Sequence, residues 1–160
     1  MKIVENLFPE LCNIYGESYS MTYLSRCNPE IDLRLTNHKT TPAFVTEDVD
    51  MIYLGCSPER KQEQIIQLLR PYTDRLRQLI DRGVIILATG NALEIFGREI
   101  REGDRVIPAL GIFDSYAVRP QGFTRSCVRT RRRHCCCIRH CTISVWYKQR
   151  MYKRLVHFRH

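Results

Sequence analysis

The sequence predicts an α/β fold in which helices pack on a mostly parallel sheet. Apolar runs of strand length alternate with amphipathic runs of helix length along residues 1–97. Two of the apolar runs lack the apolar–polar alternation of a half-exposed strand, which is typical of strands buried inside a parallel sheet. A length of 160 residues with 44% hydrophobic residues suits one globular domain with a substantial core.

Four segments have the composition of strands and lie at residues 2–8, 31–35, 48–55 and 84–89. The second alternates apolar with polar residues, whereas the third and fourth are nearly continuous apolar runs. Beyond residue 97, short strands are expected around the turn-forming sequence Glu102-Gly103-Asp104.

Four segments are expected to be helices, at residues 18–27, 59–69, 71–82 and 91–96. The first ends because Asn28-Pro29 cannot continue it. Pro71 suits the first turn of the third helix, since its fixed φ is already helical, and Gly83 suits the position just after its last turn.

Charge divides the chain into two parts. Residues 1–118 carry 13 Lys and Arg against 17 Asp and Glu, a net charge of −4, whereas residues 119–160 carry 12 Lys and Arg and no acid. Five of the eight cysteines and four of the five histidines also follow residue 118. The sequence therefore predicts an incomplete α/β domain over residues 1–118 and a basic, Cys- and Arg-rich tail over residues 119–160 that is disordered or out of frame.

Three interpretations of the tail differ in what they imply. A frameshift near Arg119-Pro120 explains why charge balance and hydrophobic pattern are lost together. A metal site would use the ligand-capable residues His134, Cys135, Cys136, Cys137, His140 and Cys141. The paired C-x₂-C and H-x₃-H spacing of structural zinc sites is missing, so no metal and no other cofactor is expected. The positive charge would attract nucleic acid only non-specifically.

No apolar run approaches the 18 residues of a membrane span, and the N-terminus lacks the apolar stretch of a secretory signal. The sequence therefore predicts a cytoplasmic protein without a membrane partner. In that compartment Cys12, Cys27 and Cys56 are expected to be reduced thiols.

Residues 83–97, which read GVIILATGNALEIFG, combine an apolar strand, a two-residue turn and the start of a helix. This is the sequence form of a nucleophile elbow, where a sharp turn holds one side chain exposed at a helix N-terminus. Here that position is Gly90, which has no side chain, and its neighbours Thr89 and Asn91 are weak nucleophiles. Because parallel strands end at one edge of the sheet, residues 55–58 are expected beside residues 90–92.

Four segments carry motifs of one known family. Residues 7–16 read LFPELCNIYG, against a family pattern L-Y-P-x-L-x-N-x-Y-G, and residues 83–97 match G-x-x-x-L-A-x-C-G-G-x-Q-x-L-G in part. Residues 50–55 correspond to the strand entering a Gly-rich loop, and residues 107–114 read IPALGIFD against I-P-G-L-G-L-L-D. Over residues 1–119 the chain resembles the class I glutamine amidotransferases of the cobyric acid synthase type, most closely the glutaminase subunits of lipid II isoglutaminyl synthases. The resemblance implies a flavodoxin-like three-layer sandwich with a mostly parallel sheet, incomplete at its C-terminus.

In that family a Cys thiolate attacks the side-chain amide of glutamine, a His transfers the proton, and backbone N–H groups stabilise the oxyanion. The resemblance places the nucleophile on Gly90, so it implies that glutaminase activity is lost. Gly55, Cys56 and Asn91 become candidates for the oxyanion or ligand loops. Glu94, at the position of a family Gln, is a further candidate, although an exposed helix carboxylate is the simpler expectation.

The resemblance also implies a role beside a ligase or synthase subunit in the amidation of a cell-wall precursor, with a glutamine-like molecule as ligand. Other readings stay open. Cys56 could replace the missing nucleophile if a base lay beside it, and His38 is the only histidine before the tail. The cleft could also serve a non-covalent enzyme or a ligand-binding module through Cys56, Asn91 or Glu94.

Overall fold

The computed structural model describes residues 1–119 and, beyond them, the backbone of residues 126–130, 135–138 and 143–146. The strands in chain order are β1 Lys2–Leu7, β2 Ile31–Thr36, β3 Met51–Leu54, β4 Ile85–Thr89, β5 Glu99–Glu102, β6 Arg105–Pro108, β7 Ser115–Arg119, β8 Ser126–Thr130, β9 Cys135–Ile138 and β10 Ile143–Trp146. The α-helices are α1 Ser18–Cys27, α2 Ala43–Thr46, α3 Glu59–Leu69, α4 Thr73–Asp81 and α5 Ala92–Ile95. A 3₁₀ turn, Arg70–Tyr72, joins α3 to α4.

The main sheet has the strand order β10-β4-β3-β1-β2. Strands β1 to β4 are all parallel, and β10 adds to β4 in the antiparallel direction. The predicted α/β class with a mostly parallel sheet is confirmed. Because all four parallel strands end at the same edge, the loops after β3 and β4 are brought together there.

One face of the main sheet carries most of the core. Ile52, Leu54 and Ile86 point into it and are fully buried together with Ile65 of α3 and Leu76 of α4. The opposite face has a smaller cluster in which Met21 of α1 packs with Val4 and Tyr53. Helices thus lie on both faces of the sheet, with α1 on one side and the α3–α4 pair on the other.

A second sheet, with the order β6-β5-β7-β8-β9, follows α5. β5 and β6 form the hairpin that the sequence predicted, with Gly103 at φ 56° in its turn. A positive φ costs glycine little, because it has no Cβ to clash with the backbone. The parallel strand β7 pairs with the other side of β5 and ends at Arg119.

Most predicted elements are present within one to three residues of their expected ends. The helix expected at residues 71–82 is shorter, because residues 70–72 form the 3₁₀ turn in which Pro71 lies. Helix α2 was not predicted. Three segments of the tail form strands where the sequence indicated no regular element. The frameshift hypothesis concerns the coding DNA and stays a prediction.

Among the helices of the part of the chain described here, none is long and apolar enough to cross a membrane.

Candidate functional site

The loops after β3 and β4 lie side by side, as expected from their parallel strands. The side chain of Asn91 forms two hydrogen bonds to the backbone of Ser57. Its Oδ1 accepts from the Ser57 N–H at 3.1 Å, and its Nδ2 donates to the Ser57 carbonyl at 2.7 Å. This reciprocal pair fixes the register of one loop against the other.

Gly90 has the backbone geometry of an elbow, with φ at 53°. A Cβ built at this position would overlap the Sγ of Cys56 from the facing loop. The Cys56 thiol is buried and donates a hydrogen bond to the carbonyl of Thr89 at 3.4 Å. The side chain of Cys56 therefore occupies the space in which a nucleophile at position 90 would begin.

Two backbone donors of the loop at Gly55-Cys56-Ser57, the N–H groups of Cys56 and Ser57, are already engaged within the chain. The N–H of Cys56 donates to Glu17 Oε1 at 2.7 Å, and the other oxygen of Glu17 accepts from the Tyr15 N–H at 2.8 Å. The N–H of Ser57 is held by Asn91. An oxyanion hole needs donors that are vacant and aimed at the developing charge, whereas this loop presents a carboxylate there.

Gly55 has a steric role, because a Cβ at this position would lie 2.5 Å from the carbonyl oxygen of Cys12. The backbones of the two segments can approach so closely only without a side chain. Cys12 itself is fully buried. Burial raises the pKa of its thiol, and the nearby Glu10 and Glu17 carboxylates raise it further, so Cys12 stays protonated and unreactive.

Glu94 is buried, and the expectation of an exposed carboxylate is wrong. Its Oε2 accepts hydrogen bonds from the guanidinium of Arg119, from Nη2 at 2.7 Å and from Nε at 3.2 Å. The Glu94 side chain is 0% exposed and the Arg119 side chain is 5% exposed. The pair ties the elbow helix α5 to β7. Arg119 thus belongs structurally to the α/β domain, one residue beyond the boundary predicted at residue 118.

Glu17, Gln62 and Tyr53 belong to the site but were not singled out from the sequence. Gln62 of α3 is buried and donates from Nε2 to the Asn91 carbonyl at 2.7 Å. Tyr53 of β3 contacts Thr89 through their hydroxyl oxygens at 3.3 Å, and burial raises the pKa of this tyrosine to about 12. The polar residue on the buried face of α3 is the one signal that could have pointed to Gln62.

Three buried polar atoms of residues near Asn91 have no hydrogen-bond partner among the described residues: Ser57 Oγ, Gln62 Oε1 and Glu94 Oε1. Buried polar groups are satisfied in most proteins, so an unsatisfied group needs an explanation. All three belong to residues of the two facing loops and of the helices that pack beside them.

His38 lies in the segment after β2, where it contacts Glu10. Its backbone N–H and its ring Nδ1 approach Glu10 Oε1 at 2.6 and 2.8 Å. Burial raises the pKa of Glu10, but the hydrogen bonds from the His38 N–H and from the ring outweigh it, and the net shift is downward. His38 is therefore committed to Glu10 by both its backbone and its ring.

A groove of about 510 Å³ lies away from the elbow, between α4 and residues 111–114. Its charged lining residues are Arg77, Asp81, Arg98 and Asp114. Arg98 pairs with Asp114 at 3.1 Å, and Arg77 donates to the Gly111 carbonyl at 2.7 Å. The groove has no net charge that would favour one class of ion.

No group of three or more His, Cys, Asp or Glu side chains in the described part of the chain could hold a metal ion. The metal and nucleic-acid candidates of the tail fall outside the residues whose side chains the structure describes. Comparison of the sequence with protein-family models and with curated proteins gives no match.

Proposed function

We propose that this chain is a glutamine amidotransferase-like protein without glutaminase activity. The parallel strand order β2-β1-β3-β4, with helices on both faces, is compatible with the flavodoxin-like three-layer sandwich that the proposal requires. The sequence motifs at residues 7–16 and 83–97 supply the family resemblance.

The observation that carries the proposal is the exchange of residues between the two loops. A thiol is missing at Gly90, where the family motif has its Cys, and a thiol is present at Cys56, where the family loop is Gly-rich. The Cys56 sulfur lies where the side chain of residue 90 would begin. The two substitutions fit each other sterically, which favours a stable, altered use of the cleft over the loss of a single residue.

Without a nucleophile at residue 90, the covalent thioester route by which the family releases ammonia from glutamine is closed at this position. We therefore assign it a binding or scaffold role beside a cytoplasmic ligase or synthase that amidates a cell-wall precursor. Glu17 and Asn91 support this role, because they accept from the N–H groups of Cys56 and Ser57, two loop donors that a glutaminase would keep vacant.

The direct test is ammonia release from glutamine by the full chain, measured with a coupled assay. We expect the same rate as in buffer alone for the wild-type protein and for Cys56→Ala. Release that Cys56→Ala abolishes would instead make Cys56 a relocated nucleophile. Release that survives Cys56→Ala would show a non-covalent enzyme.

A second candidate, a module that binds a small polar ligand, is favoured by the three unsatisfied polar atoms near Asn91. Glutamine or a similar amide could satisfy them by hydrogen bonding. Calorimetric titration of the full chain with glutamine tests this candidate. Binding should weaken in Gln62→Leu, which removes one of these atoms, and remain in Arg60→Ala, which changes an exposed residue of the same helix.

A further inference from the structure

Strand β2 is the outer strand of the main sheet among the strands that the structure describes. It pairs with β1 on one side. The Lys2 N–H donates to the Glu30 carbonyl at 2.6 Å and the Phe8 N–H to the Thr36 carbonyl at 2.7 Å. Backbone groups alternate in direction along a strand, so the even-numbered residues of β2 face β1. Ile31, Leu33 and Leu35 consequently turn their N–H and C=O groups outward.

The side chains of β2 divide between the two faces of the sheet. Asp32 and Arg34 share one face and form an ion pair at 2.9 Å. Ile31 and Leu33 lie on the other face, packed against the cluster that contains Met21. Leu35 follows on that same face and is 61% exposed. An edge strand with outward backbone groups and an exposed leucine is a surface that readily pairs with another strand.

We propose that β2 pairs with β2 of a second copy of this chain, antiparallel and with Leu33 opposite Leu33 of the partner subunit. In this arrangement Asp32 lies opposite Arg34 of the partner subunit, and Ile31 lies opposite Leu35 of the partner subunit. Each cross-strand pair is then either apolar or of opposite charge, both of which stabilise a sheet.

The register follows from two constraints. Only the odd-numbered residues offer outward backbone groups, so the pairing can shift only in steps of two residues. A shift in one direction places Asp32 opposite Asp32 of the partner subunit, and a shift in the other places Arg34 opposite Arg34 of the partner subunit. Like charges directly opposite destabilise the pairing, which leaves the register centred on Leu33. The Ile31 N–H already donates to the Asn28 carbonyl at 3.0 Å, so about four backbone hydrogen bonds would form.

Helix α1 supports the same partner. It lies on the face of the sheet that carries Leu33, because Met21 packs in the same cluster. A two-fold axis perpendicular to the sheet would place both copies of α1 on one face, roughly 10 Å apart if each helix lies over β1 and β2, which is helix-packing distance. Tyr19, Tyr23 and Leu24 are 75%, 71% and 40% exposed and offer further apolar area for this contact.

Sedimentation velocity of the full chain over a concentration series tests the pairing. We expect a reversible dimer for the wild-type protein. Arg34→Asp places acids opposite one another and should weaken the dimer about tenfold or more, as should Asp32→Arg. The double exchange D32R/R34D restores opposite charges and should restore the dimer. Arg60→Asp, an equal change of charge at an exposed site on α3, is the matched control and should dimerise normally.

A monomer at all concentrations would overturn the proposal, and so would a dimer that Arg34→Asp leaves intact or that the double exchange fails to restore. Circular dichroism shows whether each variant is folded. If the charge variants do not fold, Leu35→Asp provides the second test, because its side chain is already exposed. A Leu35→Asp variant that dimerises as tightly as the wild-type protein would also reject this interface.

Discussion

Gly90 and Cys56 depend on each other at the scale of single residues. The positive φ of Gly90 gives the elbow its turn, and the absent side chain leaves room for the Cys56 thiol. A thiol that donates to the Thr89 carbonyl lies against the backbone of the turn, where it fills space. Packing between the two loops therefore holds the Cys56 thiol in the space that a side chain at residue 90 would otherwise fill.

Substituting Gly90 should reveal this dependence. Gly90→Ala adds strain from the positive φ and an overlap with Cys56, and we expect it to lower the free energy of unfolding by about 3 kcal/mol. Gly16→Ala is the matched control, since Gly16 also has a positive φ but open space around it, and should cost about 1 kcal/mol. Urea denaturation measures both.

Combining Gly90→Ala with Cys56→Gly completes the test, because the second change removes the overlapping sulfur. We expect the double variant to be about 2 kcal/mol more stable than the sum of the separate effects. Purely additive effects would mean that residues 56 and 90 do not compete for the same space.

The buried pair of Glu94 and Arg119 gives a second residue-scale prediction. Arg119→Met leaves the Glu94 carboxylate buried without its partner, and we expect it to lower the free energy of unfolding by about 3–5 kcal/mol. The matched control is Arg105→Met, which breaks an exposed pair with Glu63 and should cost at most about 1 kcal/mol. Equal losses in the two variants would contradict a buried ion pair between α5 and β7.

At the scale of elements, Asp48 links α4 to the start of β3. Its carboxylate accepts hydrogen bonds from the guanidinium of Arg82 at 2.8 and 2.9 Å and from that of Arg75 at 3.2 Å. Hydrogen bonds from Arg82 and then Arg75 lower the pKa of Asp48 to about 2. One carboxylate thus fixes the C-terminal end of the helix against the segment that leads into the sheet.

The lowered pKa makes this link sensitive to acid. A group with a depressed folded-state pKa stabilises the fold above its unfolded pKa, near 3.8, and that stabilisation is lost as the pH falls towards 2. We expect wild-type protein to melt at a higher temperature than Asp48→Asn at pH 5, with the difference shrinking below about pH 4 and disappearing only as the pH falls through about 2. Melting curves at several pH values measure it, and a pH-independent difference would be the contrary outcome.

Elements with strong local patterns were predictable from the sequence, and those that depend on distant partners were not. Helix α3 was predicted at Glu59–Leu69, where its pattern is amphipathic. Helix α2 has four residues, and its N-terminus is held by the buried Glu5 carboxylate, which accepts from the N–H groups of Ala43 and Phe44 at 2.7 and 2.8 Å. No sequence pattern near residues 43–46 indicates that a carboxylate 38 residues away binds the start of this helix. The burial of Glu94 in α5 was not predicted for the same reason, because its buried partner Arg119 lies 25 residues away in β7.

At the scale of the whole molecule, the sequence predicted the parallel sheet and the meeting of the two loops. It could not predict that Cys56 fills the place of a side chain at Gly90, because this depends on how closely the loops approach. The tail at residues 119–160 differs from the rest of the chain, because it has no acidic residues and lacks the hydrophobic pattern of helices and strands. The ion pair of Arg119 with Glu94 shows that the α/β domain extends at least through residue 119.

We therefore expect any change of reading frame to follow codon 119. Reading the other two frames of the coding DNA downstream of that codon tests this expectation. One of them should encode a continuation that resembles the family and contains a His-bearing strand. If neither does, the frameshift hypothesis is wrong.

The claim that the cleft holds no glutamine-directed nucleophile is tested most directly by covalent labelling. The full chain is incubated with an electrophilic glutamine analogue, such as a glutamine-like chloroketone, and its mass and the peptide containing Cys56 are then measured by mass spectrometry. We expect Cys56 to remain unmodified in the folded protein and to react only after denaturation, because its thiol is buried against the elbow backbone. Rapid stoichiometric labelling of Cys56 in the folded protein, prevented by excess glutamine, would contradict the claim.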